Sequence, residues 1–395
     1  YVRDGNLAAE AYEIRILESV IVIKFSDEAG RFYAHQTLSQ LAEAEVMYCG
    51  VIKDAPRYEW RGLMLDEARH FFGKDQVIKL LDLMARYKMN RLHWHLSDNQ
   101  GWRVEIKAYP QLATVGGVGC LSDRKAPAKY YTQDEIREIV AYAAARHIEV
   151  IPEIDMPGHA LAFTKVFPEL NGGKKTVNPA KKELYVVLET IMRELSTLFP
   201  GRYIHIGGDE CPKIRWEKCP VCQAKIKELG IKGDEHHSAE HYLQSYTISR
   251  VEKYLNERGR SIIGWDEILE GGLAPNATVM SWRGSAGGEE AVRQGHDAIM
   301  VPNSHFYFDY YQSLDVDNEP FGIGGYIPVD LVYSYEPYTE KMTEEERSHI
   351  LGIQANIWTE YIKTEDHLQY MLLPRMTALS EVQWCQRENK DWDRF

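Results

Sequence analysis

From about Arg61 onward, short apolar runs alternate with longer stretches whose apolar residues recur at helical spacing, the pattern of repeated strand-helix units. Apolar runs at 62–66, 91–96, 149–154, 203–206, 261–265, 278–282, 298–301 and 352–358 predict eight strands. Amphipathic stretches at 74–87, 133–146, 181–198, 239–258, 288–294 and 367–381 predict helices between them. Eight such units over about 330 residues predict an α/β fold, a (β/α)₈ TIM barrel with long loops. An open doubly wound sheet is the alternative, weakened because no G-x-G-x-x-G opens a helix.

Residues 1–55 do not share this rhythm. Residues 10–16 and 20–25 alternate like strands and 30–41 read as a helix, which predicts the C-terminal part of a truncated small α/β domain. It leads through Asp54-Ala55-Pro56 into a barrel spanning 56–395. So small a fragment buries little apolar surface alone, so it is expected to pack on the barrel or on further chain.

A formal net charge of −13 and a pI near 5.6 argue against a nucleic-acid partner, which requires a concentrated basic surface. No run approaches the roughly 18 apolar residues of a spanning helix. The start at Tyr1-Val2-Arg3 suggests a trimmed product whose targeting segment is missing. Six scattered cysteines do not make a disulfide scaffold. Cys211 with Cys219-Pro220-Val221-Cys222 admits a disulfide, free thiols or a zinc ion, and metal is disfavoured because a second C-x-x-C is absent. His237 and His241 lack the H-E-x-x-H order and read as a solvated helix face.

In a barrel of this type the site forms at the C-terminal strand ends, and those ends carry the chemistry. The fourth strand, Tyr203-Ile204-His205-Ile206, runs through Gly207-Gly208 into Asp209-Glu210. Adjacent strand residues face opposite ways, so two neighbouring acids serve one bond only where the strand is ending, as the glycines permit. The other ends carry Asp66 and Arg69, His95 to Trp102, Asp155 to His159, Trp265, Trp282, Trp358-Thr359-Glu360, and, after the seventh strand, Tyr307 and Asp309. Each has a bland reading as core or turn. Together, flat aromatic faces and carboxylates suit the C–H faces and hydroxyls of a sugar.

His205-Ile206-Gly207-Gly208-Asp209-Glu210 resembles the strand-four motif of glycoside hydrolase family 20, the β-N-acetylhexosaminidases. Arg61-Gly62-Leu63-Met64-Leu65-Asp66 with Arg69-His70, His93-Trp94-His95-Leu96-Ser97-Asp98, Asp155-Met156-Pro157-Gly158-His159, Gly264-Trp265-Asp266-Glu267 and Trp358-Thr359-Glu360 resemble further family blocks, in family order. Phe32-Tyr33-Ala34 with Gln36-Thr37-Leu38 is similar to the end of the small domain preceding that barrel.

The resemblance implies a retaining exo-β-N-acetylhexosaminidase whose nucleophile is the substrate's own acetamido oxygen, an exception to the two-carboxylate scheme. It implies Glu210 as general acid and base, Asp209 as acceptor of the acetamido N–H, and Tyr307 as donor to the acetamido carbonyl. Trp265, Trp282 and Trp358 would wall the pocket, Arg61 and Asp98 would bind substrate, and Asp309 and Glu360 would take the 4- and 6-hydroxyls. Asp155 and His159 would tune Glu210. Trp94, Asp266 and Glu267 read equally well as structural. No cofactor or metal is implied, the partner is a glycan, and such a substrate points to a secreted or periplasmic enzyme. A disaccharide-releasing lacto-N-biosidase and a non-catalytic glycan-binding module are the alternatives.

Overall fold

Residues 1–173 and 175–395 are described by a computed structural model. The first four strands, β1 (Val2–Arg3), β2 (Tyr12–Ile16), β3 (Ile21–Phe25) and β4 (Gly50–Asp54), form one sheet in the order β1-β3-β2-β4. Asp27 caps the helix Glu28–Leu41 by accepting the Gly30 amide, satisfying a donor the first helical turn leaves free. The helix covers one face of the sheet, where Tyr12, Ile14, Ile23, Phe25, Tyr33 and Ala34 are buried. Trp384, 330 residues away from Asp54, completes that core and donates its indole N–H to the Asp54 carboxylate at 2.8 Å.

Eight parallel strands then close into a barrel: β5 (Trp60–Asp66), β6 (Arg91–His95), β7 (Glu149–Glu153), β10 (Tyr203–His205), β11 (Ser261–Trp265), β12 (Thr278–Ser281), β13 (Ala298–Met300) and β14 (Ile350–Ile357). Every residue of β5 is buried, as expected where helices cover the outer face and neighbouring strands fill the inner one. β8 (Asn171–Gly173) and β9 (Thr176–Val177) make a separate hairpin beyond β7. Between strands run the helices Lys74–Arg86, Gln133–Ala144, Lys182–Leu198, Ala239–Asn256 and Ala286–Arg293. The helix expected over 367–381 is instead two, Glu365–Leu372 and Arg375–Trp384. Pro374 separates them, because proline lacks the N–H a helix interior needs and holds its predecessor out of the helical region.

Arg61 sits at the N-terminal end of β5, only 1% exposed, and joins the sheet to the barrel. Its guanidinium meets both carboxylate oxygens of Glu10, the Tyr33 hydroxyl and the carbonyls of Tyr58 and Lys88, all within 3.1 Å. A cleft of about 470 Å³ at this junction is lined by Glu10, Asn90, Arg91 and Glu149 among others. It lies at the strand starts, the end of a barrel that supports stability rather than chemistry. Among the described residues, no helix is long and apolar enough to cross a membrane.

Candidate active site

The Gly207-Gly208 pair after β10 takes backbone angles that side chains resist, with φ of +73° and +100°. A Cβ on Gly207 would collide with the Asp155 carboxylate, and one on Gly208 with Ile268. The turn is fixed by its neighbours: Trp265 N–H donates to the Gly207 carbonyl and the Gln244 amide to that of Gly208, both at 2.8 Å. Glu210, itself at φ +44°, has its N–H 3.4 Å from a Glu267 oxygen. Asp209 therefore points inward with its side chain 12% exposed, while Glu210 stands at the rim with 61% exposed.

His159, also in the left-handed region, links the two acids. Its Nε2 lies 3.4 Å from Asp209 Oδ2 and 3.3 Å from Glu210 Oε2, while its Nδ1 lies 3.0 Å from Asp98 Oδ1. Burial disfavours the imidazolium, but Asp98 and Asp209 outweigh it and hold the His159 pKa well above its ordinary value. His159 in turn lowers the Glu210 pKa, chiefly by hydrogen bonding to it. Burial, then the charge of Asp209, pushes Asp155 well up. Burial raises Asp209 too, against the pull of His159.

Asp98 is 1% exposed and lies beneath the pocket rather than in its wall, so its assignment to substrate binding is corrected. Two cationic neighbours share its Oδ2, His95 Nε2 at 2.9 Å and Arg69 Nη2 at 3.0 Å, and with His159 they hold its pKa far below normal despite burial. Deeper still, Glu153 is fully buried at 2.7 Å from both His93 Nε2 and His95 Nδ1 and 3.0 Å from the Trp265 indole nitrogen. Asp155 is likewise outside the pocket wall. The group that holds His159 is Asp98, and Asp155 faces Asp209 and the Gly208 amide, at 3.3 Å from the latter.

A pocket of about 280 Å³ opens above these groups, lined by Arg69, His159, Asp209, Glu210, Trp265, Trp282, Tyr307, Asp309, Tyr310, Ile323, Trp358 and Glu360. Trp282 and Tyr307 lie nearly parallel at 13°, with centroids 6.0 Å apart, and Trp358 closes the corner 6.2 Å from Tyr307 and 5.8 Å from Trp265. Asp209 Oδ1, Asp309 Oδ1 and Glu360 Oε2 are buried without a hydrogen-bond partner among the described residues. Orphaned acceptors carry a desolvation cost, and hydroxyl or amide donors of a bound molecule would relieve it. Burial and Glu360 together raise Asp309 well above an ordinary carboxyl.

Arg61 is the second correction: it faces the small sheet at the opposite end of β5 and reaches no part of this pocket. Arg69, three residues past the end of that strand, is the arginine in the wall. It lies 2.9 Å from Asp66, 3.6 Å from Glu360 and 5.0 Å from the centre of the Trp358 ring. The strand-end rule that located the other groups was the signal for it. Tyr310, in the 305–311 loop after the seventh strand, lines the pocket without having been given a role, and Ile323 is a lining residue that carried no sequence signal. Among the described residues, three His/Asp/Glu groups beneath the pocket, including His93-Glu153-His205, and a fourth in its wall, His159-Asp209-Glu210, have ligand atoms close enough for a cation. In the first of these His93 Nε2 lies 2.7 Å from one Glu153 oxygen and His205 Nδ1 3.5 Å from the other, and burial lowers the pKa of both imidazoles.

Residues 58–387 match the family model described as glycosyl hydrolase family 20, catalytic domain, and residues 2–55 match its domain 2. A β-hexosaminidase of Porphyromonas gingivalis is 42% identical over 98% of this chain and 52% of its own length. One from Vibrio furnissii is 36% identical over 94% of this chain and 64% of its own. The chain thus spans about half to two thirds of these relatives. In structure it is similar to an exo-β-N-acetylglucosaminidase of Vibrio harveyi in complex with N-acetylglucosamine, with TM-score 0.89 and 33% identity, covering 99% of this chain and 65% of the other. It is also similar to the N-acetyl-β-hexosaminidase of Streptomyces plicatus, with TM-score 0.86 and 33% identity, covering 100% of this chain and 79% of that one.

Proposed function

The chain belongs to glycosyl hydrolase family 20, a family of glycoside hydrolases, and from that premise we propose that it is a retaining exo-β-N-acetylhexosaminidase. Its substrate is a terminal non-reducing β-linked N-acetylglucosamine or N-acetylgalactosamine. The observation that carries this reading is the unequal placement of two adjacent acids. Glu210 is exposed at the rim, where a leaving oxygen would sit, and Asp209 is buried with an orphaned oxygen beside Tyr307 and three tryptophans.

In the proposed reaction Glu210 protonates the glycosidic oxygen as that bond breaks, and the substrate's acetamido oxygen attacks the anomeric carbon. Asp209 accepts the acetamido N–H and offsets the charge of the oxazolinium ring, and Tyr307 donates to the acetamido oxygen. Glu210 then takes a proton from the water that opens the ring. Free Glu210 has a lowered pKa, and a bound sugar covering its exposed side chain raises it again by desolvation. The His159 imidazolium tempers repulsion between the two acids. Asp309, Glu360 and Arg69 take the hydroxyls at the closed end.

A pocket of about 280 Å³ falls at the lower limit of small-molecule sites, about 300–1,000 Å³. It favours one sugar ring over the disaccharide a lacto-N-biosidase releases. Chromogenic β-N-acetylglucosaminide and lacto-N-bioside substrates test this directly. Release from the first, with inhibition by a thiazoline mimic of the oxazoline, is expected. Trapping of a covalent sugar on Asp209 or Glu210 by a 2-fluoro glycoside overturns the mechanism.

A further inference from the structure

The segment beyond Glu210 carries three cysteines that the proposed reaction does not use. Cys219 is the N-cap of the helix Pro220–Glu228, and its sulfur accepts the backbone N–H of Cys222 at 3.4 Å. Cys222 lies on the same first turn and is fully buried, while Cys219 is partly exposed. Helix geometry sets Cα atoms three residues apart at about 5 Å, inside the roughly 4.4–6.8 Å range a disulfide spans. The buried amide of Asn178 reaches both sulfurs: its Nδ2 lies 3.7 Å from Cys219 Sγ, and Cys222 Sγ donates to its Oδ1 at 3.3 Å. Cys211 and Cys222 share one apolar cluster against which Cys219 packs, but the three thiols do not converge as a metal-binding group among the described residues.

We propose that Cys219 and Cys222 are a redox-active dithiol that closes reversibly to an intrachain disulfide by exchange with a small organic disulfide such as glutathione disulfide. The two sulfurs are unequal in the way this exchange requires. Backbone and side-chain hydrogen bonds from Cys222 lower the Cys219 pKa against its burial, whereas burial pushes the Cys222 thiol up. Cys219 is the accessible thiolate, which is the nucleophilic form. It attacks one sulfur of the incoming disulfide and expels the other as a thiolate, leaving a mixed disulfide on Cys219. Cys222 then attacks Cys219 Sγ, and its proton passes to the second thiolate as that leaves. Two protein thiols lose two electrons and two protons, and one glutathione disulfide becomes two glutathione molecules.

Closure also breaks the Cys222–Asn178 contact. Asn178 follows Val177, whose N–H donates to the Pro157 carbonyl at 3.0 Å and whose carbonyl accepts the Trp216 indole N–H. The dithiol thus sits behind the loop that presents His159.

The test is thiol titration of the unfolded protein and peptide mapping after incubation in glutathione buffers. Oxidised protein, with exposed Cys49 scored separately by its own peptide, is expected to lose the Cys219 and Cys222 thiols together, to carry a Cys219–Cys222 peptide with no glutathione on either residue, and to recover all thiols with dithiothreitol. Cys222→Ser is expected to stall with glutathione on Cys219, and Cys219→Ser to take none on the buried Cys222. Should Cys222→Ser not fold, alkylation of the wild type decides: Cys219 reacts first, with a pH midpoint below the roughly 8.5 of a free thiol. Persistent glutathione on wild-type Cys219, a disulfide through Cys49, Cys120 or Cys211, or one zinc per chain overturns the proposal.

Discussion

At the scale of single residues, unequal roles for Asp209 and Glu210 predict unequal losses. Glu210→Gln should lower turnover about 10²–10⁴-fold on substrates with poor leaving groups and much less on activated aryl glycosides; equal losses on both would reject Glu210 as the acid. Asp209→Asn keeps the shape but removes the charge facing the cationic intermediate, so its loss should fall on kcat more than on KM. Glu267 makes a pH prediction. Burial, then Asp209 and Asp266, raises it to about 8 from the ordinary 4.5, so the fold favours its neutral form. That stability is full below about pH 4.5 and is lost as pH rises through about 8. Glu267→Gln should therefore flatten the fall in Tm between pH 5 and pH 9, and an unchanged slope in thermal melts would show that Glu267 is not the group responsible. Arg61 shows where residue-level reading failed: a family block contains it, but a block gives position along the chain and not the end of the strand. Arg69 lay three residues beyond Asp66 and only the barrel rule distinguished the two.

At the scale of elements, apolar periodicity placed the barrel strands to within a residue or two, because each is buried on both faces and reads as an apolar run. The edges were less legible. β5 begins at Trp60 and β14 at Ile350, earlier than the apolar pattern of each suggests, since the pairing Trp60↔Gly352 is set by neighbouring strands rather than local sequence. β4 and the β8–β9 hairpin carried too little alternation to be seen. The turn after β10 was legible, because two adjacent glycines before two acids have few other uses. Gly207→Ala should cost about 1–2 kcal/mol for the left-handed backbone and about 1–3 kcal/mol for crowding Asp155. Denaturant unfolding should show that loss together with a fall in kcat, since the same shift misdirects Asp209. Full activity in a protein of wild-type stability would refute the rigid turn.

At the scale of the whole molecule, the small sheet and the barrel share buried groups rather than merely touching. Removing the Arg61 guanidinium leaves Glu10, whose side chain is 21% exposed, without its cation and strips the buried Tyr33 hydroxyl and two carbonyls of their donor; breaking a fully buried pair from one side costs about 3–5 kcal/mol, and partial exposure of Glu10 puts this loss below that range. Arg61→Met should therefore lower the urea midpoint strongly while leaving KM of the folded fraction unchanged, whereas a rise in KM would place Arg61 at the substrate after all. The sheet's other contributions from the barrel are Lys88, whose Nζ lies 2.6 Å from the Tyr12 hydroxyl, and Trp384 in the helix Arg375–Trp384. This arrangement has a consequence in time. During synthesis the sheet leaves the ribosome hundreds of residues before Trp384 exists, and at about 5–20 residues per second that is a wait of many seconds. The patch that Trp384 covers, on Tyr12 and Tyr33, stays open for that interval, so nascent chains halted before residue 384 should be held by chaperones and cut more readily between β2 and β4 than released full-length chains.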